Sequence, residues 1–287
     1  MNVSRMTRRI AVSGVATAIA AGALVGASST AANAAIGADA TYTCDVAGNP
    51  AQLPVHVDVP LLPGSANAGT MIPAGLLQAT TTVGIPAEVA AILGAYQVTG
   101  GTIDDFGMLV GDTTAPAPLT FSSFAAGTDP GSLVASTLGV NQVFALPKAG
   151  TYDITLPKAF TFMPTTAAGP LGVPVACTSD APGKLASIRI DKNASATTAK
   201  APAKITKGSV AKVTTKVASL NDATPVPTGK VVAKLGSKTV GKGTLKAGKA
   251  VLKLAKLPLG KDKVVLKYAG DAYTAASKTK SVIKVVK

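Results

Sequence analysis

One histidine occurs in the 287 residues, His56, and it stands two positions from Asp58. On an extended strand that spacing puts both side chains on one face, where a carboxylate can orient an imidazole as general base for a hydroxyl nucleophile. No serine near them carries a nucleophile signature. The pair therefore reads as a solvent-facing feature of a strand, and no catalytic residue is expected. Residues 236–243 and 243–250 both carry the Gly-x4-Gly-Lys spacing of a phosphate loop. Such a loop needs Ser or Thr next, to hold magnesium, and a helix behind it. Gly243 and Ala250 stand there instead, and strand-like runs flank both segments, so both read as hairpin turns. Asp104 and Asp105 are adjacent, which on a strand aims them at opposite faces, while Asp112 and Asp129 are isolated. Calcium needs several oxygens converging on one point, so neither a metal nor a cofactor is expected.

Charge is the stronger chemical signal. Residues 193–287 hold twenty lysines, no arginine and three aspartates, a formal +17. Residues 35–192 hold five basic and eleven acidic side chains, a formal −6. Eight of the lysines alternate with apolar residues along strand-like runs and form the candidate polyanion-binding set: Lys212, Lys216, Lys230, Lys234, Lys249, Lys253, Lys263 and Lys267. Self-repulsion on this scale is costly unless something offsets it. A lysine that reaches an anionic surface contributes about 1 kcal/mol. Lysine without arginine suits diffuse attraction rather than bidentate readout of phosphates or bases. The competing reading is a solvated face that serves solubility alone.

The N-terminus reads as an export signal over residues 1–34. Arg5, Arg8 and Arg9 precede an uncharged apolar run from Ile10 to Val25, and Ala32-Asn33-Ala34 offers a cleavage site before Ala35. That run falls short of the roughly 20 residues that span a bilayer. Arg8-Arg9 hints at a twin-arginine signal, but Ala11 departs from that pattern, so general secretion is expected. No sortase-type tail follows the last alternating run, so any attachment to the cell is expected to be non-covalent. Cys44 and Cys177 suit an oxidising compartment as a disulfide, with two buried thiols as the alternative. No CxxC pair or third sulfur supports zinc.

The elements that position these residues follow from alternation with period two. In residues 35–192, Val55, Val57 and Val59 alternate with His56 and Asp58 between Pro54 and Pro60. Residues 151–156 alternate similarly, and Phe160 and Phe162 share one face as core residues. Residues 85–93 form one short helical candidate, with Gly94 as its stop. In residues 193–287 five runs place apolar residues inward and lysines outward, as in a two-sheet sandwich with one wet face per sheet. The fold class expected is all-β: two consecutive Ig-like β-sandwich domains, residues 35–192 and 193–287, with one short helix in the first. A short link around residues 191–203, without a Gly/Ser tract, predicts limited hinge motion. Without Trp, a sugar-stacking platform is not expected. Tyr268 reads as core, Tyr273 as holding the adjacent corner by its hydroxyl, and Asp271 as capping its turn.

Two resemblances refine this. Thr41-Tyr42-Thr43-Cys44, the Val-x-Val strand after it, Ile85-Pro86-Ala87-Glu88-Val89 and Val173-Pro174-Val175-Ala176-Cys177 resemble an uncharacterised Ig-like domain of secreted actinobacterial proteins, which implies a sandwich and no known activity. Four features of the second half resemble the bacterial Ig-like repeats of the third group. They are Pro227-Thr228-Gly229-Lys230-Val231, the hairpin of residues 236–243, Leu257-Pro258-Leu259-Gly260, and the run from Tyr268 to Ser277. That resemblance implies a structural, spacing or adhesive module without catalysis, from which this sequence departs in its lysine density. The expectation is a secreted, non-enzymatic envelope or surface protein whose basic domain contacts anionic cell-wall polymers or lipids and presents the acidic one. The alternative is an extracellular binder of nucleic acid or glycosaminoglycan, from the host or the environment. Opposite net charges also leave open that the acidic domain masks the basic one.

Overall fold

A computed structural model describes residues 36–221 and 224–287. The export signal expected over residues 1–34 lies outside them. Alternation becomes strand wherever it occurs. In Ile36–Val46 the residues Ala38, Ala40, Tyr42, Cys44 and Val46 are buried, and the intervening ones are exposed except Ile36 at the strand start. The inward set packs and the outward set stays solvated, which fixes the register of the whole strand.

The first sandwich has a large antiparallel sheet. Its strands run, in spatial order, Ala125–Ala126, Leu133–Val140, Gln78–Ile85, Asn49–Val59, Ile36–Val46, Val175–Thr178, Ala159–Thr166, Val98–Ile103 and Leu119–Phe121. The facing sheet runs Ser65–Asn67, Lys184–Asp191, Gly150–Thr155, Gly107–Val110 and Thr113–Pro116. Val55, Val57 and Val59 from one sheet and Met108, Val110, Ile154 and Ile188 from the other fill a common core. Phe160 is buried in that core and Phe162 packs against it, as expected.

Pro54 does not begin its strand, which extends back to Asn49. Pro54 stays opposite Thr41, while the ladder to Gln78–Ile85 covers only Val55 to Asp58. The proline thus ends pairing on one side only, as expected of a residue with no N–H to donate. Gly84 accommodates it, because a Cβ there would lie 2.8 Å from the Pro54 ring. The helix spans Ala87–Ala95 and passes through Gly94. Its end is made by Gln97, at φ 53°, which donates its N–H to Gly94 O at 3.1 Å.

Cys44 and Cys177 are bonded, 133 positions apart in sequence. They are direct cross-strand partners in Ile36–Val46 and Val175–Thr178, at the middle of the large sheet. Tyr42 points into the same core, its hydroxyl donating to Pro157 O at 2.6 Å and its ring centroid 4.7 Å from that of Phe160.

The second sandwich pairs a three-stranded sheet, Ser195–Lys200, Ala211–Ser219 and Lys249–Leu254, with a five-stranded one. The latter runs Lys204–Thr206, Ser277–Val286, Gly260–Tyr268, Lys230–Leu235 and Lys238–Thr244. A separate core holds Val213, Val217, Val231, Leu252, Leu266 and Ile283, with Tyr268 buried among them. The chain switches sheets early: Ser195–Lys200 pairs antiparallel with Ala211–Ser219, and Lys204–Thr206 then pairs parallel with Ser277–Val286. Residues 236–243 form the expected hairpin between Lys230–Leu235 and Lys238–Thr244. Residues 243–250 instead carry the chain from one sheet to the other through a tight Lys246–Lys249 turn.

The link between the sandwiches is shorter than residues 191–203, because Ser195 already belongs to a strand. Asn193 sits there almost fully buried. Its side-chain amide donates to Ala68 O at 2.6 Å and Tyr273 O at 3.1 Å, so one side chain bonds both sandwiches. Ala149 N–H donates across the same joint to Ala272 O at 3.0 Å. Both sandwiches fall in one compact unit.

Candidate functional site

The eight candidate lysines divide between opposite outer faces of the second sandwich. On the three-stranded sheet Lys212 pairs directly with Lys253, and Lys216 with Lys249. Lys200, not singled out from sequence, joins them on the neighbouring strand opposite Thr214. All five are exposed, and exposed Val251 lies among them. On the five-stranded sheet Lys230, Lys234, Lys263 and Lys267 share the outer face with six further lysines. There Lys267 pairs with Lys278, and Lys204, Lys284 and Lys261 form one row across three strands. The last row was hidden in sequence because its members come from three separated strands whose register only the fold sets.

Directly opposed like charges destabilise a sheet. Among the described residues no acidic side chain relieves them. Asp262 is buried on the inward side of its strand, and Asp271 is engaged in a corner described below, while the third aspartate of this region lies outside the described residues. Among the described residues every ion pair lies in the first sandwich, and none joins the two. The arrangement is therefore two layers of unpaired ammonium groups, separated by the sandwich core.

Asp271 does cap its turn, through its carboxylate. Oδ1 accepts from Tyr273 N at 2.9 Å, Thr274 N at 2.7 Å and the Thr274 hydroxyl at 2.5 Å. Oδ2 accepts from Thr228 N at 2.8 Å and the Thr228 hydroxyl at 3.1 Å. With the Thr274 proton committed to the carboxylate, the Tyr268 hydroxyl donates to Thr274 Oγ1 at 3.0 Å. Tyr268, not Tyr273, thus ties the corner by its hydroxyl, and Tyr273 turns its ring toward Gly69 of the first sandwich. Burial works against the Asp271 charge, but the Thr274 hydroxyl and the N–H groups of Thr228, Tyr273 and Thr274 outweigh it and hold the carboxyl well below its ordinary value. A folded value below the unfolded one of about 3.9 means that this stabilisation is present above that pH and fades as pH falls further. Asp271→Asn is expected to cost about 2 kcal/mol at neutral pH, as for hydrogen bonds to a charged group. Urea unfolding at pH 7 and near pH 3 checks this, the difference from wild type shrinking only below about 3.9.

His56 lies outward on its strand, as expected, with a partner that sequence did not indicate. Nδ1 is 2.7 Å from Asp39 Oδ1, and Nε2 is 3.0 Å from Asp58 Oδ2. Asp39 is the direct cross-strand neighbour of His56. With both ring nitrogens on carboxylates, neither is left to accept a proton from a hydroxyl, so the general-base geometry is not built. The surrounding groove, about 680 Å³ with Thr41, Thr43, Gln52 and Asp180 in its walls, is shallow and open. The hydrogen bond that the imidazolium donates to Asp39 raises the His56 pKa, slight burial opposes it, and Asp58 adds to it. The folded value lies above the unfolded one near 6.5, so the clamp stabilises fully below that pH and is lost as pH rises through the folded value. Exposed as it is, the clamp contributes under about 1 kcal/mol. NMR titration of His56 is expected to give a pKa above 6.5 that returns toward it in Asp39→Asn.

Asp104 and Asp105 occupy a turn rather than a strand, and Asp105 Oδ1 accepts from Thr161 N at 2.9 Å. Among the described residues no group of three or more His, Cys, Asp or Glu side chains could hold a metal. Nor is any described helix long and apolar enough to cross a membrane.

No curated protein matches the chain by sequence. Among solved structures it is similar to a Corynebacterium diphtheriae protein described as membrane anchored, with 16% identity, 88% of this chain and 58% of that one covered, and a TM-score of 0.34. It is similar to the adhesin InvE of Yersinia pseudotuberculosis at 14% identity, with 77% and 57% covered and a TM-score of 0.33. An ectodomain fragment of ICAM-5 matches at 15% identity, with 85% and 61% covered and a TM-score of 0.33. The chain thus spans about three-fifths of the length of these structures. The family match is confined to the second sandwich: residues 197–287 match the bacterial Ig-like domain, group 3.

Proposed function

We propose that the protein is a secreted, non-enzymatic surface protein whose basic sandwich holds it to anionic envelope material and whose acidic sandwich is presented from it. The observation that carries this reading is the set of opposed, unpaired lysine rows on a group 3 bacterial Ig-like sandwich. Their mutual repulsion is relieved when an anionic partner supplies the missing charge. The attraction is diffuse and screened, built from many exposed ammonium groups without a pocket. The Cys44–Cys177 bond suits an oxidising compartment outside the cell.

Co-sedimentation of the full protein with purified cell envelopes at low salt tests the reading. The protein is expected in the pellet. A variant with the eight lysines at 212, 216, 230, 234, 249, 253, 263 and 267 changed to Gln is expected to bind at least tenfold more weakly. Equal sedimentation of both would defeat the reading. Preferential displacement by nucleic acid or glycosaminoglycan over envelope polymers would move it to capture of an extracellular polyanion.

A further inference from the structure

The ammonium layers lie on opposite sides of one sandwich, and that placement says something about the shape of the partner. Facing sheets pack about 10 Å apart, and the lysine side chains add to that separation. The Debye length at physiological salt is about 8 Å. The two layers therefore act on solutes independently. A flat lipid surface can engage one of them only, because its attraction fades within a Debye length. The second layer would then remain repulsive and unused. Linear polymers can occupy both at once, one chain along each face.

Each face is laid out for such a polymer. Neighbouring strands set charges about 4.8 Å apart, and alternate residues along a strand set them about 6.8 Å apart. Lys212–Lys253 and Lys216–Lys249 stand two such steps apart on one face, with Lys200 beside the gap between them, and Lys204, Lys284 and Lys261 form one row of the grid across three strands on the other. We propose, resting on the electrostatic reading above, that the second sandwich is bivalent and cross-links linear polyanions bearing a repeating phosphate or carboxylate charge.

The full protein is added to beads coated with long-chain polyphosphate, and capture of fluorescent polyphosphate from solution is read alongside bead-bound protein. Wild type is expected to score in both. Changing Lys200, Lys212, Lys216, Lys249 and Lys253 to Gln clears the smaller face. Bead binding should then fall less than tenfold while capture of the second polymer falls tenfold or more. Changing Lys234, Lys261, Lys263, Lys267 and Lys284 to Gln removes the same charge but leaves lysines on both faces, and bridging should persist. The substituted side chains are exposed or half-buried at the surface, and an unchanged thermal transition confirms each fold. Bridging by the cleared-face variant at the wild-type level overturns the inference, as does wild-type binding without bridging. Binding to anionic vesicles but not to polyphosphate also overturns it and leaves the electrostatic reading standing. Failure to bind any polyanion at low salt overturns both.

Discussion

Replacing Cys44 and Cys177 by Ala is expected to lower the stability of the first sandwich by up to about 5 kcal/mol, the chain-entropy value for a loop of this length. At roughly 2–4 °C per kcal/mol for a domain of this size, the thermal midpoint falls by about 10–20 °C. The bond closes a separation of 133 residues and joins neighbouring strands at the middle of the large sheet. Nearly the whole first sandwich lies inside that loop, so the unfolded chain gains much freedom when it opens. Both cysteines are buried, and Phe160 is the cross-strand neighbour of Cys177. The second sandwich has its own core and keeps its transition under the same treatment. Calorimetry of the double variant resolves this. A midpoint within a few degrees of wild type would mean that the sheet ladders alone fix those strands.

The second large effect is on binding. An exposed lysine layer that engages about five charges of a linear polyanion gives a logarithmic salt slope between about −3 and −4, by counter-ion release. A tenfold rise in salt then weakens binding a thousandfold or more. The same size follows independently from about 1 kcal/mol per engaged lysine. The agreement of the two routes makes the expectation sharp: the lysine substitutions and salt must act on one quantity, and each must blunt the other.

Much of the fold was legible because this chain writes its parity plainly. In Lys249–Leu254 and Gly260–Tyr268 lysines take most outward positions and apolar residues most inward ones, so the two sets follow with little tertiary knowledge, Val251, Val265 and Asp262 excepted. The same alternation sits in Ile36–Val46 with Ala, Tyr and Cys inside. Pro54 was misleading, since a proline that ends pairing on one side of a strand looks in sequence like one that ends the strand. The extent of the helix past Gly94 was equally hidden, because Gln97 rather than a glycine takes the left-handed turn. The candidate site was legible residue by residue and not as a surface. Parity puts eight lysines outward, but which sheet each strand joins depends on pairings between distant segments. Hence the division of the lysines into two opposed layers, the Asp39 partner of His56 and the bridging role of Asn193 emerge only when the strands are placed.

The most direct test of the electrostatic account is the affinity of the full protein for isolated cell envelopes measured from about 0.05 to 0.5 M salt. A steep loss, with a slope between about −3 and −4 that flattens when the eight lysines are changed to Gln, is the predicted result. Binding that holds constant across that range, or a slope unchanged in the substituted protein, would contradict it.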